Sequence, residues 1–321
     1  MTPIKLDADN TKKLRLAKNS CRNTCPSRVI NKRMTNFRTI SQIIEPQLAL
    51  EGAGVLLRRS VSPRASNEYD PFLLFDHFAF NNPLEGPLRG FPMHPHRGIE
   101  TVTYILDGSV SHRDSLGNAG VIGPGDVQWM TSGRGILHEE MPRRGESGNI
   151  YGFQLWVNLP AAQKMSQPRY QEVISSSIPV IEKDGATIRL VAGELDGIRG
   201  PVTEIAASPL YMDVKLSPAS RFVYSIPTGH TVLAYVFEGT GEFDSDSSTG
   251  SGLGPVESVS MVVFNDDGDQ IEVKSETGVQ FMLIAGAPFK EPIVPYGPFV
   301  MNTVEEIQQT LAELRNGTFI K

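Results

Sequence analysis

Short segments in which apolar and polar residues alternate recur about every ten residues along most of the chain. Residues 100–106 and 151–157 are clear examples in the first half, and residues 186–192 and 279–285 in the second. Alternation with a period of two is typical of a β-strand with one buried face, and turn signals such as an Asp-Gly pair separate the segments. The pattern therefore predicts an all-β protein, a sandwich or a barrel.

The two halves of the chain repeat this organisation. In each half one strand ends at a glycine turn, at Gly108 and at Gly239, and a Gly-Asp turn precedes a later strand. Residues 158–170 lose the alternation and contain two prolines, which is typical of a linker. We therefore expect two copies of one β-unit joined by residues 158–170.

One helix is predicted, near the C-terminus. Thr303 and Glu306 have the spacing of a capping box, and the apolar residues that follow recur on one helical face, namely Ile307, Leu311 and Leu314. We expect this helix to pack on a β-unit and to take no part in chemistry.

Composition excludes several classes of protein. With 321 residues, 40% of them hydrophobic, the chain can build an ordinary core and is not disordered as a whole. Its apolar runs are far shorter than the roughly 20 residues of a membrane-spanning helix, so no membrane span is predicted. Two cysteines cannot form a disulfide scaffold, which favours a reducing compartment.

The charge is unevenly distributed. Residues 1–38 contain ten Lys and Arg against two Asp, although the whole chain has a formal net charge of −6. Residues 1–37 are predicted to be a disordered basic extension. Two alternatives remain: residues 1–33 act as a mitochondrial or plastid transit peptide, or the extension is attracted to nucleic acid or a membrane surface. The acidic remainder argues against direct nucleic-acid binding by the body.

Two pairs of residues have metal-ligand spacing. His94 and His96 are two positions apart, so in a strand both imidazoles point to one face, and Pro95 restricts that strand to an edge or a bend. His138 and Glu140 are spaced in the same way. On facing strands these pairs supply three imidazoles and one carboxylate, which suit iron and also manganese, nickel, copper or zinc.

Longer motifs around these residues resemble a known family. The pattern Gly90-x3-His94-x-His96-x3-Glu100 resembles the first cupin motif, and the stretch from Gly125 to His138 resembles the second. The segments HPHRGIETVTYILDG (residues 94–108) and PGDVQWMTSGRGILHEEMP (residues 124–142) resemble the pirin family, whose members have two cupin domains. The resemblance extends from about residue 40 to the C-terminus.

This resemblance implies a domain organisation. It implies two tandem cupin-type β-barrels with a short C-terminal helix, an N-terminal metal-binding domain at residues 38–172 and a C-terminal domain without a metal site at residues 173–321. One iron ion per chain is expected in the N-terminal domain.

The resemblance also implies site residues. The iron ligands are expected to be His94, His96, His138 and Glu140, with Glu140 also catalytic. The general cupin pattern would instead use Glu100 as the fourth ligand, since it has the same parity as His94 and His96. If Glu140 is the ligand, Glu100 is either a carboxylate that hydrogen-bonds to the ligands or an ordinary strand residue. Four apolar residues beside the ligands either belong to the core or line a pocket for a flat aromatic substrate: Met93, Trp129, Met130 and Met141.

Two functions follow from the resemblance. The first is a quercetin 2,3-dioxygenase-type oxidoreductase, in which a metal-bound flavonol reacts with O2 and its C2–C3 bond opens with loss of CO. The second is a non-enzymatic iron-binding redox sensor that contacts a transcription factor. Nucleus or cytoplasm is the expected location, with mitochondrion or plastid as the alternative if residues 1–33 are a transit peptide.

Overall fold

The computed structural model describes residues 36–78, 89–243 and 254–321. The predictions made for residues 1–35 therefore lie outside the described residues. Within the described part the chain is dominated by β-strands, and every pairing between named strands is antiparallel. Alternating segments such as Ala186–Ala192 and Leu210–Leu216 form strands with the predicted bounds. The predicted all-β architecture with a short C-terminal helix is confirmed.

The strands up to residue 173 are, in chain order, β1 (Ile40–Ile44), β2 (Gln47–Glu51), β3 (Val55–Val61), β4 (Phe72–Phe78), β5 (Phe91–His96), β6 (Ile99–Asp107), β7 (Ser109–Asp114), β8 (Ala119–Ile122), β9 (Val127–Thr131), β10 (Ile136–Arg143), β11 (Tyr151–Asn158) and β12 (Arg169–Val173). Two short 3-10 turns, Ala161–Gln163 and Ser175–Ser177, flank β12.

The later strands are β13 (Val180–Lys183), β14 (Ala186–Ala192), β15 (Glu194–Leu195), β16 (Ile198–Arg199), β17 (Leu210–Leu216), β18 (Ser220–Ser225), β19 (Thr231–Gly241), β20 (Val256–Glu257), β21 (Ser260–Phe264), β22 (Gln270–Ser275), β23 (Val279–Gly286), β24 (Val294–Tyr296) and β25 (Phe299–Met301). The helix α1 (Val304–Arg315) follows, and Thr303 and Glu306 form the predicted capping box. No helix of the described residues is long and apolar enough to cross a membrane.

These strands form two barrels. In the first barrel a sheet of order β12-β9-β6-β11-β4-β3-β2 faces a sheet of order β5-β10-β7-β8. In the second barrel a sheet of order β1-β21-β19-β23-β17-β14-β13, with β20 on β19, is joined by the pair β18-β22.

The two large sheets pack against each other through one shared core. Phe153 and Trp129 of the first barrel and Tyr211 and Tyr235 of the second are all buried there. Trp129 meets Tyr211 edge-on at 6.3 Å between ring centroids, and Phe153 meets Tyr235 at 5.7 Å. Each large sheet therefore has one face in the shared core and one face inside its own barrel.

The ends of the chain cross between the barrels. The strand β1, which the predicted boundaries assign to the first domain, pairs with β21 of the second. Arg38 is buried there and donates to the carbonyl oxygens of a surrounding loop cluster, those of Pro227, His230, Asn265 and Gly268. Asn36 and Phe37, at the end of the predicted disordered extension, also pair with this barrel. In return, Phe299 after the second barrel bridges to Arg97 of the first.

Candidate metal centre

Two facing strands bring the three histidines together. His94 and His96 lie on β5, and His138 on β10 stands directly opposite His94 in the antiparallel register. The strand β5 is the edge of its sheet, which is the position that Pro95 requires because proline has no N–H to donate. The register shifts by one residue between His138 and Glu140, so a bulge lies within the second pair.

The three imidazoles form one compact group. Their ligand atoms all lie within 4.8 Å of one another, and they are the one group of this kind found among the described residues. The ring centroids of His94 and His138 are 4.3 Å apart, and each lies 4.9 Å from that of His96. His96 and His138 are buried and His94 is partly exposed, so the group is open to solvent on one side.

The hydrogen bonds of the rings indicate which nitrogens are free. Nδ1 of His94 lies 2.9 Å from the carbonyl oxygen of Pro92, and Nδ1 of His96 lies 3.3 Å from that of Pro298. A carbonyl only accepts, so both Nδ1 atoms carry a proton, and in a neutral ring this leaves Nε2 as a bare acceptor. These Nε2 atoms are nevertheless only 3.1 Å apart, and neither ring nitrogen of His138 has a partner in the described residues.

This arrangement fits a metal ion. Buried polar atoms are normally hydrogen-bonded, and two facing lone pairs repel each other unless a cation lies against them. Burial lowers the pKa of His96 and of His138 well below its ordinary value, and the neighbouring imidazoles lower it further. The rings of His96 and His138 are therefore held in the neutral form that coordinates metals. The three histidines can hold a metal in the first barrel.

Glu140 lies close to this group but is already hydrogen-bonded. Its Oε1 accepts from the hydroxyl of Thr103 and its Oε2 from the amide of Gln154, both at 3.0 Å. It is buried and is not among the side chains whose ligand atoms lie within 4.8 Å of one another. Its assignment as the fourth ligand remains a prediction.

Glu100 lies on the other face of the sheet. It accepts from Nε1 of Trp129 at 3.1 Å and from the hydroxyl of Thr131 at 2.8 Å, on the side of the shared core. Thr103, three residues further along the same strand, points to the opposite face and donates to Glu140 inside the barrel. Burial raises the pKa of Glu100 to about 7, although its two hydrogen bonds lower it. The structure therefore does not bring Glu100 to the histidines.

The four predicted pocket residues fall on three different surfaces. Met130 is fully buried and pairs with Thr101, on the inner face of the first barrel. Trp129 alternates with it and lies in the shared core. Met93 and Met141 are 45% and 38% exposed, and they directly precede or follow an inward-facing side chain in their strands, those of His94 and Glu140, so both point outward.

Several polar residues on the inner face of the first barrel were not among the predicted site residues. His112 stands opposite Glu140 on β7, accepts from Gln128 at 2.8 Å and lies 3.4 Å from Asp114. Thr103 and Gln154 are paired across β6 and β11, where their alternation with core residues places them inside the barrel. Strand parity was the only available signal for these positions, and it is sufficient once the buried face of each strand is known.

Comparisons with known proteins agree with this architecture. The Pirin family model matches residues 54–157, and the model of the Pirin C-terminal cupin domain matches residues 211–320. Human pirin is 43% identical over 268 residues, which cover 83% of this chain and 88% of human pirin.

Solved structures show the same fold. A quercetin 2,3-dioxygenase from Acinetobacter baumannii matches with a TM-score of 0.78 at 33% identity, over 88% of this chain and 99% of the other. A bacterial pirin from Escherichia coli, YhhW in complex with nickel(II), matches with a TM-score of 0.56 at 20% identity, over 77% and 99%. At that identity the second likeness concerns the fold alone. Both barrels are thus cupin domains, and the chain belongs to the pirin family of the cupin superfamily.

Proposed function

We propose that this protein is a metal-dependent dioxygenase that opens flavonols of the quercetin type with O2, with iron as its metal. The observation that carries the proposal is the compact group formed by His94, His96 and His138, buried on one side and open on the other. The name of the Acinetobacter relative, which is 33% identical, supports the flavonol as the substrate class.

The metal would be held by the imidazoles of His94, His96 and His138, with the carboxylate of Glu140 as the proposed fourth ligand. When bound, a divalent ion lowers the pKa of a flavonol 3-hydroxyl and activates the resulting anion toward O2. The three histidines are neutral donors, so they leave the positive charge of the ion available to the substrate oxygen. Iron is our choice among the ions that suit this ligand set.

Glu140 is proposed as the proton acceptor. Thr103 and Gln154 each donate a hydrogen bond to one of its oxygens, so the carboxylate keeps one orientation inside the first barrel. One of these bonds must break or be shared before an oxygen can bind the ion or take the proton of the 3-hydroxyl. A carboxylate with two adjustable donors can do both in turn, which suits a residue that is both ligand and base.

The partly exposed side of the group is the proposed entrance. His94 is the least buried of the three histidines, whereas His96 is packed edge-on against Trp156 at 5.2 Å between centroids. A flat substrate would therefore approach from the side of His94 and meet the inner face of the first barrel. The described residues of the second barrel offer no comparable group of ligands.

Metal content and turnover, measured on one preparation, test the proposal. The iron-loaded protein is expected to consume O2 and quercetin in equal amounts and to release CO. Apoprotein prepared with a chelator should lose this activity and regain it with iron(II). A protein that is fully loaded with iron yet consumes no O2 with flavonol would contradict the proposal and favour the redox-sensing alternative.

A further inference from the structure

The last part of the chain follows the second barrel but packs on the first. We call residues 294–321, which contain β24, β25 and α1, the C-terminal clasp. Phe299, Met301 and Ile307 of the clasp are buried together with Phe319, and Val300 is buried against a cluster that includes Trp156. The clasp thus lies behind the strand that carries His94 and His96.

The clasp supplies the hydrogen-bond partner of one of the three histidines. The carbonyl oxygen of Pro298, in the turn between β24 and β25, lies 3.3 Å from Nδ1 of His96. His94 instead uses Pro92 of its own strand, and His138 has no such partner in the described residues. Histidines that bind metals usually donate the second ring nitrogen to an oxygen, which fixes both the tautomer and the ring orientation.

The residue after His96 fastens the clasp to the site. Arg97 is 1% exposed, and its guanidinium donates to Oε2 of Glu313 at 2.6 Å and to the hydroxyl of Thr310 at 3.0 Å. The same group lies 4.5 Å from the ring centroid of Phe319. The backbone is joined as well, because the N–H of Val300 donates to the carbonyl of Arg97.

A second fastening lies one residue further on. The ammonium group of Lys164 is buried and donates to the carbonyl oxygens of Gly98 and Val300, at 2.8 and 2.7 Å. A Cβ at Gly98 would overlap the carbonyl oxygen of Val300, so this close approach requires glycine. Both residues that follow His96 are therefore bound to the clasp.

We propose that the C-terminal clasp positions the imidazole of His96 for metal binding, with Arg97 and Glu313 as the positioning residues. This inference rests on the metal centre of the proposed function. The clasp, which follows the second barrel in the chain, would thus support the metal site of the first barrel without contributing a ligand. Loosening the clasp should therefore weaken metal binding more than it weakens the fold.

The test compares two matched variants of the full chain. Glu313 is paired with Arg97 and Lys321, and the equally buried Glu272 of the second barrel is paired with Arg221 and Lys274. Glu313→Gln and Glu272→Gln thus each remove one buried carboxylate that pairs with two basic side chains, but only the first touches the clasp. The readouts are the unfolding midpoint and the dissociation constant for nickel(II) alone, from competition with a chelator.

Glu313→Gln is expected to weaken nickel(II) binding about tenfold, at the lower end of the effect of lost ligand-orienting partners. Glu272→Gln should leave it unchanged at a similar unfolding midpoint, and Glu313→Asp should restore part of the loss. Equal nickel(II) affinities in the Gln variants would overturn the proposal. If Glu313→Gln does not fold, Thr310→Val is measured in the same way. It is expected to lose less nickel(II) affinity than Glu313→Gln, and an unchanged nickel(II) affinity would overturn the proposal.

The two proposals fail in different ways. Nickel(II) binding is measured without flavonol or O2, so it does not depend on turnover. Flavonol turnover by the unaltered protein, together with unchanged nickel(II) affinity in Glu313→Gln, would overturn the clasp alone. An unaltered protein that binds no metal at all would overturn both proposals.

Discussion

The two barrels are built on the same pattern of alternating residues but are filled differently. The interior of the second contains apolar side chains, such as Ile188, Val214 and Phe281. The inner face of the first carries Thr103 and Gln154, which are bonded to a buried carboxylate, beside three histidines. An apolar interior needs only to fill space, whereas every buried polar group needs a partner.

This difference shows how a site can be recognised. In the first barrel the unsatisfied polar groups are informative. One ring nitrogen each of His94, His96 and His138 lie within 4.8 Å of one another, and neither nitrogen of His138 has a hydrogen-bond partner in the described residues. Several imidazole nitrogens that meet at one point without hydrogen-bond partners are the arrangement expected of metal ligands. The second barrel provides the shared core and, through the chain that follows it, the clasp.

The largest effect is expected from removing one of the three imidazoles. His138→Ala leaves two imidazole ligands, and metal affinity should fall by at least about 100-fold. This is more than the loss expected when only a residue that orients a ligand is removed. The matched control is His230→Ala, because His230 lies in the second half of the chain and away from the group. Metal analysis of both purified variants checks this.

The same analysis tests how the two barrels differ. The unaltered protein should carry about one metal ion per chain, since one three-histidine group occurs in the described residues. Two ions per chain, or normal metal content in His138→Ala, would show that metal binds elsewhere.

The next effect concerns the two buried glutamates on opposite faces of the large sheet. Glu140→Gln replaces a carboxylate beside the histidines with a weak amide donor, so iron affinity should fall about 10–100-fold and flavonol turnover should nearly vanish. Glu100→Gln should keep the metal, because Glu100 bonds to Trp129 and Thr131 in the direction of the shared core.

Metal titration of the two variants side by side decides between the two assignments. Loss of metal from Glu100→Gln with retention in Glu140→Gln would support the general cupin pattern and refute the pirin-type ligand set.

Glu100 should instead make stability depend on pH. Burial raises its pKa from 4.5 to about 7, so the folded protein keeps a proton that the unfolded chain releases. The resulting stabilisation is complete below pH 4.5 and is lost as the pH rises through 7. Glu100→Gln cannot ionise. Between pH 4.5 and 8 its free energy of unfolding should therefore rise by about 3 kcal/mol relative to that of the unaltered protein. Urea unfolding at several pH values measures this difference, and parallel curves for the two proteins would refute the raised pKa.

Alternation in the sequence was enough to locate most strands and the ligand pairs. Residues two apart in a strand share a face whatever the fold, which is why His94 and His96 could be grouped without a structure. The same counting misplaces Glu100, because β5 ends at His96 and Gly98, with a φ of +79°, turns the chain before β6 begins. Parity does not carry across such a turn, and Glu100 faces the shared core.

The crossing of the chain ends could not be predicted from local pattern. The pairing of β1 with β21 joins residues more than 200 positions apart, and the contact of Pro298 with His96 is similarly distant. Periodicity shows that a strand has a buried face but not which sheet it joins. The position of Trp129 has the same explanation. Its strand has a buried face, but that face packs against the other barrel.

A smaller effect is expected from one near-isosteric substitution in each barrel, which makes the second interior more polar and the first less polar. Val214→Thr places a hydroxyl among apolar side chains of the second barrel and should cost about 1–3 kcal/mol of stability. Thr103→Val removes a donor to Glu140 in the first barrel, so it should affect flavonol turnover more than stability. Thermal unfolding and turnover of both variants test this. Similar profiles for the two would show that the interiors do not differ in role.

The smallest effect is expected from removing the basic extension. A chain that begins at Met34 keeps every contact described for the first strand, including the bonds between Asn36 and Asp269 and the buried guanidinium of Arg38. Its melting temperature should therefore stay within about 2–3 °C of that of the full chain, a change that corresponds to about 1 kcal/mol. Arg38→Ala is the contrasting variant, because it leaves several carbonyl oxygens and Asp266 without their buried cation, and it should lower the melting temperature by clearly more. A large drop for the shortened chain would mean that residues 1–33 contribute to the stability of the second barrel, against the prediction that they are a disordered extension or a removable transit peptide.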